Sequence, residues 1–319
     1  MFERNLNLIT LLGIPVKINI SWILVFVLVT WSFATGFYPE SYPGMFGPAG
    51  TWILALLTAL LLFLSVLIHE FSHSIVARRG GLPIRSITLF MFGGVAQMGH
   101  EVDDPSLELR MAAAGPLMTL GLVAVFLPVA YLTENVPFLS VLLGTVGAIN
   151  IGIFIFNMVP GFPLDGGRIL RSIIWKRTGS VVRATRVAST IGRIFAWLLI
   201  AGGVANMAVM KNYVSGAWMV FIAFFLMKAA ERSYRQTVWR YGLSKLKVGD
   251  VMRTGSAAEE VAHTAGVPFF VREDDSAFVL AGPLLAGNAP AVTVLGPDGK
   301  LAGIVTRRDL RSLLESIDD

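Results

Sequence analysis

The stretch LLFLSVLIHEFSH, Leu61–His73, runs eight residues without a charge and then places His69, Glu70 and His73 in five positions. Leucine, isoleucine and phenylalanine in an unbroken run of this kind read as a helix in an apolar environment. On a helix, residues four apart share a face, so His69 and His73 can aim two imidazole nitrogens at one metal ion. Glu70 stands a fraction of a turn away, within reach of a water at that metal. Three ionisable side chains at membrane depth are costly to keep, which makes the triplet a functional feature.

Composition extends the same reading over the chain. Of 319 residues, 55% are hydrophobic and 15% charged, against about 25% charged in soluble domains. There is no cysteine, which excludes disulfides, thiolate metal sites and cysteine nucleophiles, so any zinc must be held by histidine and carboxylate. Charge-free runs cover Ile18–Phe37, Ser41–Ile68, Met111–Thr133, Asn135–Leu164, Ile194–Met210 and Asn212–Met227. They predict six transmembrane helices near 18–37, 50–77, 108–133, 137–159, 190–210 and 213–231, because each crossing needs about 17–25 residues. The first run is followed by no small-residue cleavage site, so it is expected to stay as an anchor.

Loop charges orient these spans. Glu40 is the charge between the first two, and Glu134 the charge between the third and fourth. Arg78, Arg79 and Arg85 follow the second span; Arg168, Arg171, Lys176, Arg177, Arg183 and Arg186 follow the fourth; Lys228, Arg232, Arg235 and Arg240 follow the sixth. All of these fall on one side if both termini are cytoplasmic, as the positive-inside rule requires, and Lys211 alone departs from it. The net charge of +5 therefore reads as topology, and no nucleic-acid partner is expected. His69–His73 then lies near the cytoplasmic end of span two, shielded yet close to water.

Two histidines do not complete a catalytic zinc site, which takes three protein ligands and an open position. The remaining histidines are His100 and His263. His100 with Glu101, Asp103 and Asp104 reads as a solvated acidic loop. The carboxylate that stands out is Asp165, in NMVPGFPLDGG from Asn157 to Gly167. Prolines and glycines there break the helix, so backbone and carboxylate can turn inward to a cavity. An aspartate before Gly-Gly is also an ordinary turn residue.

Taken together, His69-Glu70-x-x-His73, Asn157-x-x-Pro160-x-x-Pro163-Leu164-Asp165-Gly166, Phe92-Gly93-Gly94-Val95-Ala96 and Ala114-Gly115-Pro116 resemble the site-2 protease family of intramembrane zinc metalloproteases. The resemblance spans most of residues 50–175. It implies one Zn2+ per chain held by His69, His73 and Asp165, and Glu70 activating water at the metal. It also implies that Asn157 contacts substrate or the tetrahedral intermediate, and that Gly93 and Gly94 lie on a short membrane-associated strand that pairs with an unwound substrate. The periodicity of Arg85–Gln97 supports that strand only loosely. The implied activity is hydrolysis of peptide bonds in or near transmembrane segments of protein substrates, as in regulated intramembrane proteolysis. The lack of cysteine, the lack of an organellar address and the compact six-span plan make a prokaryotic cell membrane the expected location. A membrane transporter lined by buried ionisable groups is the competing class, although residues 1–110 and 111–240 show no internal repeat of the kind transporters carry.

The expected organisation is a polytopic α-helical membrane domain over 1–240 and a small α/β cytosolic domain over 244–319. In the latter, Ala291–Leu310 reads as strand, Asp298-Gly299 turn, strand, and a helix starting near Thr306. This resembles a CBS motif, in which residues matching Thr306 and Asp309 contact an adenine nucleotide. The same pair also fits ordinary helix capping. One repeat leaves its pairing face open, so the tail is expected to form a homodimer.

Overall fold

The structure, a computed structural model, describes residues 5–91, 93–98, 102–254, 269–285 and 289–318. The expectations that fall on Phe92, His100, Glu101 and His263 lie outside those residues. Six helices among the described residues are long and apolar enough to cross a bilayer. They comprise the stretch Ile20–Ser41, which begins with α1 (Ile20–Ser32), passes through a π-helical turn at Phe33–Phe37 and ends in α2 (Tyr38–Ser41), and then α3 (Pro48–Arg79), α4 (Pro105–Leu132), α5 (Pro137–Asn157), α7 (Val181–Val209) and α8 (Tyr213–Ser244). A shorter helix, α6 (Asp165–Thr178), lies between α5 and α7.

Helix ends follow the local chemistry. Pro48 opens α3 at its first position and Gly80 closes it, with Arg78 and Arg79 in the last turn, where cations favour the carbonyl end of the dipole. Asp104, expected in an acidic loop, caps α4: its carboxylate accepts from the backbone N–H of Ser106 and Leu107 at 3.0 Å. α5 stops at Asn157 because Pro160 and Pro163 cannot continue a helix. The last two spans run longer than their charge-free runs. α7 begins at Val181, before Arg183, Arg186 and Arg193, because a helix continues into a polar turn that a hydropathy window rejects.

The chain divides into two compact units, Met1–Met227 and Lys228–Asp319. The first also holds a four-stranded sheet in the order β1 (Asn5–Leu11), β2 (Ile14–Asn19), β3 (Ile84–Phe90), β4 (Gly93–Met98). β2 and β3 run parallel, while β1–β2 and β3–β4 are antiparallel. The β3–β4 pair covers the strand expected from the glycine motif; β1 and β2 lie outside the expected elements, although Leu6 and Leu8 alternate with Asn5 and Asn7, and Ile14, Val16 and Ile18 with Pro15 and Lys17. Ile14, Val16 and Ile87 bury against Phe71 of α3, with Leu67 and Ile75 beside them, so the sheet is anchored on the helix that carries His69 and His73.

In the second unit, β5 (Phe270–Arg272) pairs parallel with β6 (Ala291–Leu295), which pairs antiparallel with β7 (Leu301–Thr306). Leu280, Leu284, Val292, Val294, Val305 and Leu310 form its core. The helix Arg307–Asp318 starts on a reciprocal cap. The Thr306 N–H donates to Asp309 Oδ2 at 3.1 Å, and the Asp309 N–H donates to Thr306 Oγ1 at 3.3 Å. Arg253 Nε donates to Asp309 Oδ1 at 2.8 Å. Partial burial alone would raise the Asp309 carboxyl, but the Thr306 hydroxyl and N–H and the Arg253 guanidinium outweigh it and hold it below the ordinary carboxylate value. A depressed acid stabilises above its unfolded pKa, so this contribution is full above about pH 5 and fades as acidification passes about 3.9. Thr306→Ala should destabilise the tail by about 0.5–2 kcal/mol, read as faster amide exchange of residues 291–314 in the full-length protein.

Candidate metal centre

His69, His73 and Asp165 meet at one point. His69 Nε2 lies 3.1 Å from His73 Nε2 and 3.1 Å from Asp165 Oδ2, and His73 Nε2 lies 3.3 Å from the same oxygen. All three are buried. Helix geometry brings the two histidines together; Asp165 arrives 92 positions later in the sequence, as the first residue of α6.

The opposite ring nitrogens fix the tautomers. His73 Nδ1 is 2.6 Å from the Met111 carbonyl oxygen. A carbonyl only accepts, so Nδ1 carries the hydrogen and Nε2 presents a lone pair. Thr119 Oγ1 donates its hydrogen to the Gly115 carbonyl at 3.2 Å, so at 2.8 Å it accepts from His69 Nδ1–H. His69 Nε2 then also presents a lone pair. Asp165 Oδ2 is buried without a hydrogen-bond donor, since neither facing nitrogen carries one. Three electron-pair donors thus face one another out of water, an arrangement that is repulsive without a cation. Atoms bound to a tetrahedral ion at about 2.0–2.1 Å stand about 3.3 Å apart, which is the spacing found. The donor set and its spacing fit zinc.

Close approach makes this possible. A Cβ on Gly115 would lie 2.2 Å from His73 Nε2 and 2.7 Å from His69 Cε1, so a glycine of α4 lets its backbone reach the imidazoles. The segment leading to Asp165 is equally tight. A Cβ on Gly192 of α7 would lie 2.1 Å from the Phe162 carbonyl oxygen, and the Phe162 N–H donates to the Ala188 carbonyl at 3.1 Å. α7 therefore holds the segment that aims Asp165.

Other expected site residues sit as follows. Glu70 follows His69 on α3, and a Cβ on Gly94 would lie 2.4 Å from its Cγ, so β4 runs directly beside the Glu70 side chain. Gly93 starts that strand at φ +128, a conformation that favours glycine. β4 is the terminal strand of its sheet. Asn157, half-buried, ends α5, and among the described residues no hydrogen bond holds its amide. Thr306 and Asp309 form the cap of the tail helix described above.

Comparison with known proteins gives the family. The model of Peptidase family M50 matches residues 57–143 and 132–201. The sll0528 protein of Synechocystis sp. is 34% identical over 319 residues, covering 97% of this chain and 78% of that one. Zinc metalloprotease MJ0392 of Methanocaldococcus jannaschii is 30% identical over 248 residues, covering 78% of this chain and 66% of that one. The solved structure of the Site-2 Protease from Methanocaldococcus jannaschii superposes with a TM-score of 0.50 at 29% identity, over 72% of this chain and 95% of that chain. The chain belongs to peptidase family M50. It is a multi-pass intramembrane zinc metalloprotease.

Residues of this M50 peptidase that sequence reasoning missed are those behind the donors. Thr119 and the Met111 carbonyl have no sequence signature, since each acts through a contact between α3 and α4. Glu108 is wholly buried beside Arg168 and Arg171, two residues read from the sequence as loop charges. Thr119→Val should weaken zinc binding about 10–100-fold by freeing the His69 tautomer. Gly115→Ala should abolish it; chelator competition on purified protein measures both.

Proposed function

We propose that His69, His73 and Asp165 are the zinc ligands of this peptidase, with Glu70 the general base, cutting peptide bonds within or next to transmembrane segments. The observation that carries this is the convergence of three lone pairs, each histidine locked by its other nitrogen. Bound there, zinc supplies Lewis acidity that lowers the pKa of a coordinated water toward about 7 and polarises the scissile carbonyl. Glu70 takes the proton of the attacking water and passes it to the departing amide nitrogen. Asn157, with its amide not engaged elsewhere among the described residues, suits a donor to the oxygen of the attacked carbonyl or to the substrate backbone.

A peptide bond in a helix is protected by its own hydrogen bonds, so the substrate must unwind first. The free edge of β4 offers N–H and C=O partners to an extended strand. Gly94 lies against Glu70, so a segment added to that edge would run past the general base. Glu70→Gln should reduce cleavage of a transmembrane substrate about 10²–10⁴-fold while zinc content stays at one per chain; full activity in that variant rules the mechanism out. Gly94→Ala, which pushes into Glu70 and the strand edge, should lower cleavage without releasing zinc.

The basic clusters support an orientation with both termini in the cytoplasm. The chain's lack of cysteine makes this directly testable: a cysteine placed at Thr178 should react with an impermeant maleimide from the cytoplasmic side, and one at Glu134 from the other. The order of the tail, β5, a short helix Ala281–Leu285, β6, β7 and the helix Arg307–Asp318, supports a single CBS-like unit; such a unit would dimerise and tie proteolysis to a cellular signal, as in regulated intramembrane proteolysis. Adenine nucleotide binding at Thr306 and Asp309 would require displacing the Arg253 ion pair. Calorimetric titration of the full-length protein with ATP or AMP, alongside light scattering, separates ligand binding from a purely structural cap.

A further inference from the structure

One face of α4 carries Glu108, Met111, Gly115 and Thr119, at intervals of three, four and four residues. Three of these meet the histidines, through the Met111 carbonyl, the Thr119 hydroxyl and the bare Gly115 backbone. The fourth, Glu108, is 0% exposed and faces α6. Its Oε1 accepts from Arg171 Nη2 and lies 3.9 Å from Arg168 Nε. Arg168 and Arg171 follow Asp165 at i+3 and i+6, and the two arginines, three residues apart, share one side of α6. The Arg171 guanidinium also sits 5.1 Å over the Phe162 ring, in the segment that leads into Asp165. Glu108 is thus linked to α6 beyond Asp165 and, through Arg171, to the chain before it.

We propose that Glu108 is a positioning residue for the metal centre: through Arg171 and Arg168 it sets the first turns of α6 so that Asp165 faces His69 and His73. The inference rests on the reading of Asp165 as a zinc ligand. A carboxylate wholly out of water is tolerated only when paired, and here the pairing ties α4 to the early turns of α6. Register is what this site needs, because Asp165 comes from a helix separate from α3. With Glu108 included, α4 references all three metal donors to one rigid element: His69 through Thr119, His73 through Met111, and Asp165 through the Glu108 pair. A simple interfacial charge would not require full burial, nor lie on the same helix face as the histidine partners.

The test uses full-length protein in detergent, comparing wild type, Glu108→Gln and Asp165→Asn. Zinc affinity comes from chelator competition, and the visible spectrum of the cobalt(II)-substituted protein reads the ligand field of the folded fraction. Glu108→Gln is expected to bind zinc about 10–100-fold more weakly, with a cobalt spectrum displaced toward that of Asp165→Asn. A folded Glu108→Gln with wild-type affinity and spectrum overturns the proposal, since a purely structural pair would leave both unchanged. If Glu108→Gln does not fold, Arg171→Lys keeps the charge but loses the guanidinium fork, and the same two readouts decide. Undiminished zinc in Asp165→Asn would instead remove the ligand reading itself, which separates the two failures.

Discussion

The structure depends on how closely α4 approaches α3 at Gly115. Two imidazoles on one face of a membrane helix can bind a metal only if their other nitrogens are held and their metal-facing nitrogens stay bare. α4 meets both needs at once: a hydroxyl and a carbonyl hold the outer nitrogens, and a residue without a side chain leaves room for the rings. A methyl group at that point would occupy the space of His73 Nε2 itself. The helix crossing is therefore set by the geometry of the site as much as by apolar packing, which in lipid offers little preference between one helix contact and another.

The third donor raises a different difficulty. An apolar run of thirty residues, Asn135–Leu164, must stop being a helix while still among membrane spans, and each freed backbone group then needs a partner. The chain solves this within a few residues. Gly161 N–H donates to Val159, Leu164 N–H to Gly161, Gly167 N–H to Leu164, and Phe162 N–H crosses to Ala188 of α7. Irregular backbone of this kind is stable only when enclosed by protein, and Gly161 and Gly192 allow that enclosure by bringing two backbones into contact. Asp165 begins a helix, where a carboxylate faces the positive end of the dipole. Its orientation is thus a property of α4, α6 and α7 together.

This explains what could be read from the sequence and what could not. His69, Glu70 and His73 declare themselves through spacing, because one helix supplies their geometry. The spans follow from runs without charge, and their ends err where α7 continues past Arg193 into polar turns. Asp165 stands out as a carboxylate in a helix-breaking context that could supply the missing third ligand, and the family resemblance adds to that reading. Thr119, the Met111 carbonyl and Glu108 leave no local trace, since each matters through a contact made 38 to 63 positions away. Arg168 and Arg171 show the limit of counting charges: they obey the positive-inside pattern and also sit beside a buried glutamate. β1 and β2 form a local hairpin whose apolar residues alternate, Leu6 and Leu8 in one strand and Ile14, Val16 and Ile18 in the other. This short signal abuts the first charge-free run and is masked by it, and the pairing of β2 with β3 lies some seventy residues downstream.

Shielding and access pull against each other at any hydrolytic site among lipid-facing helices. His69 and His73 are each 6% exposed and Asp165 9%; α4 backs the histidines and α6 carries Asp165. The side of α3 that bears Glu70 is instead met by a strand whose outer edge is unpaired among the described elements. On the reading that substrate adds to β4, helical segments are excluded by the same edge that accepts extended ones, because only an extended chain can match its hydrogen-bond spacing. Selection would then act on the ease of unwinding before it acts on any side chain. A segment carrying glycine, proline or other weak helix formers loses less in becoming a strand, and on that reading such a segment would be cut in preference to a stable helix.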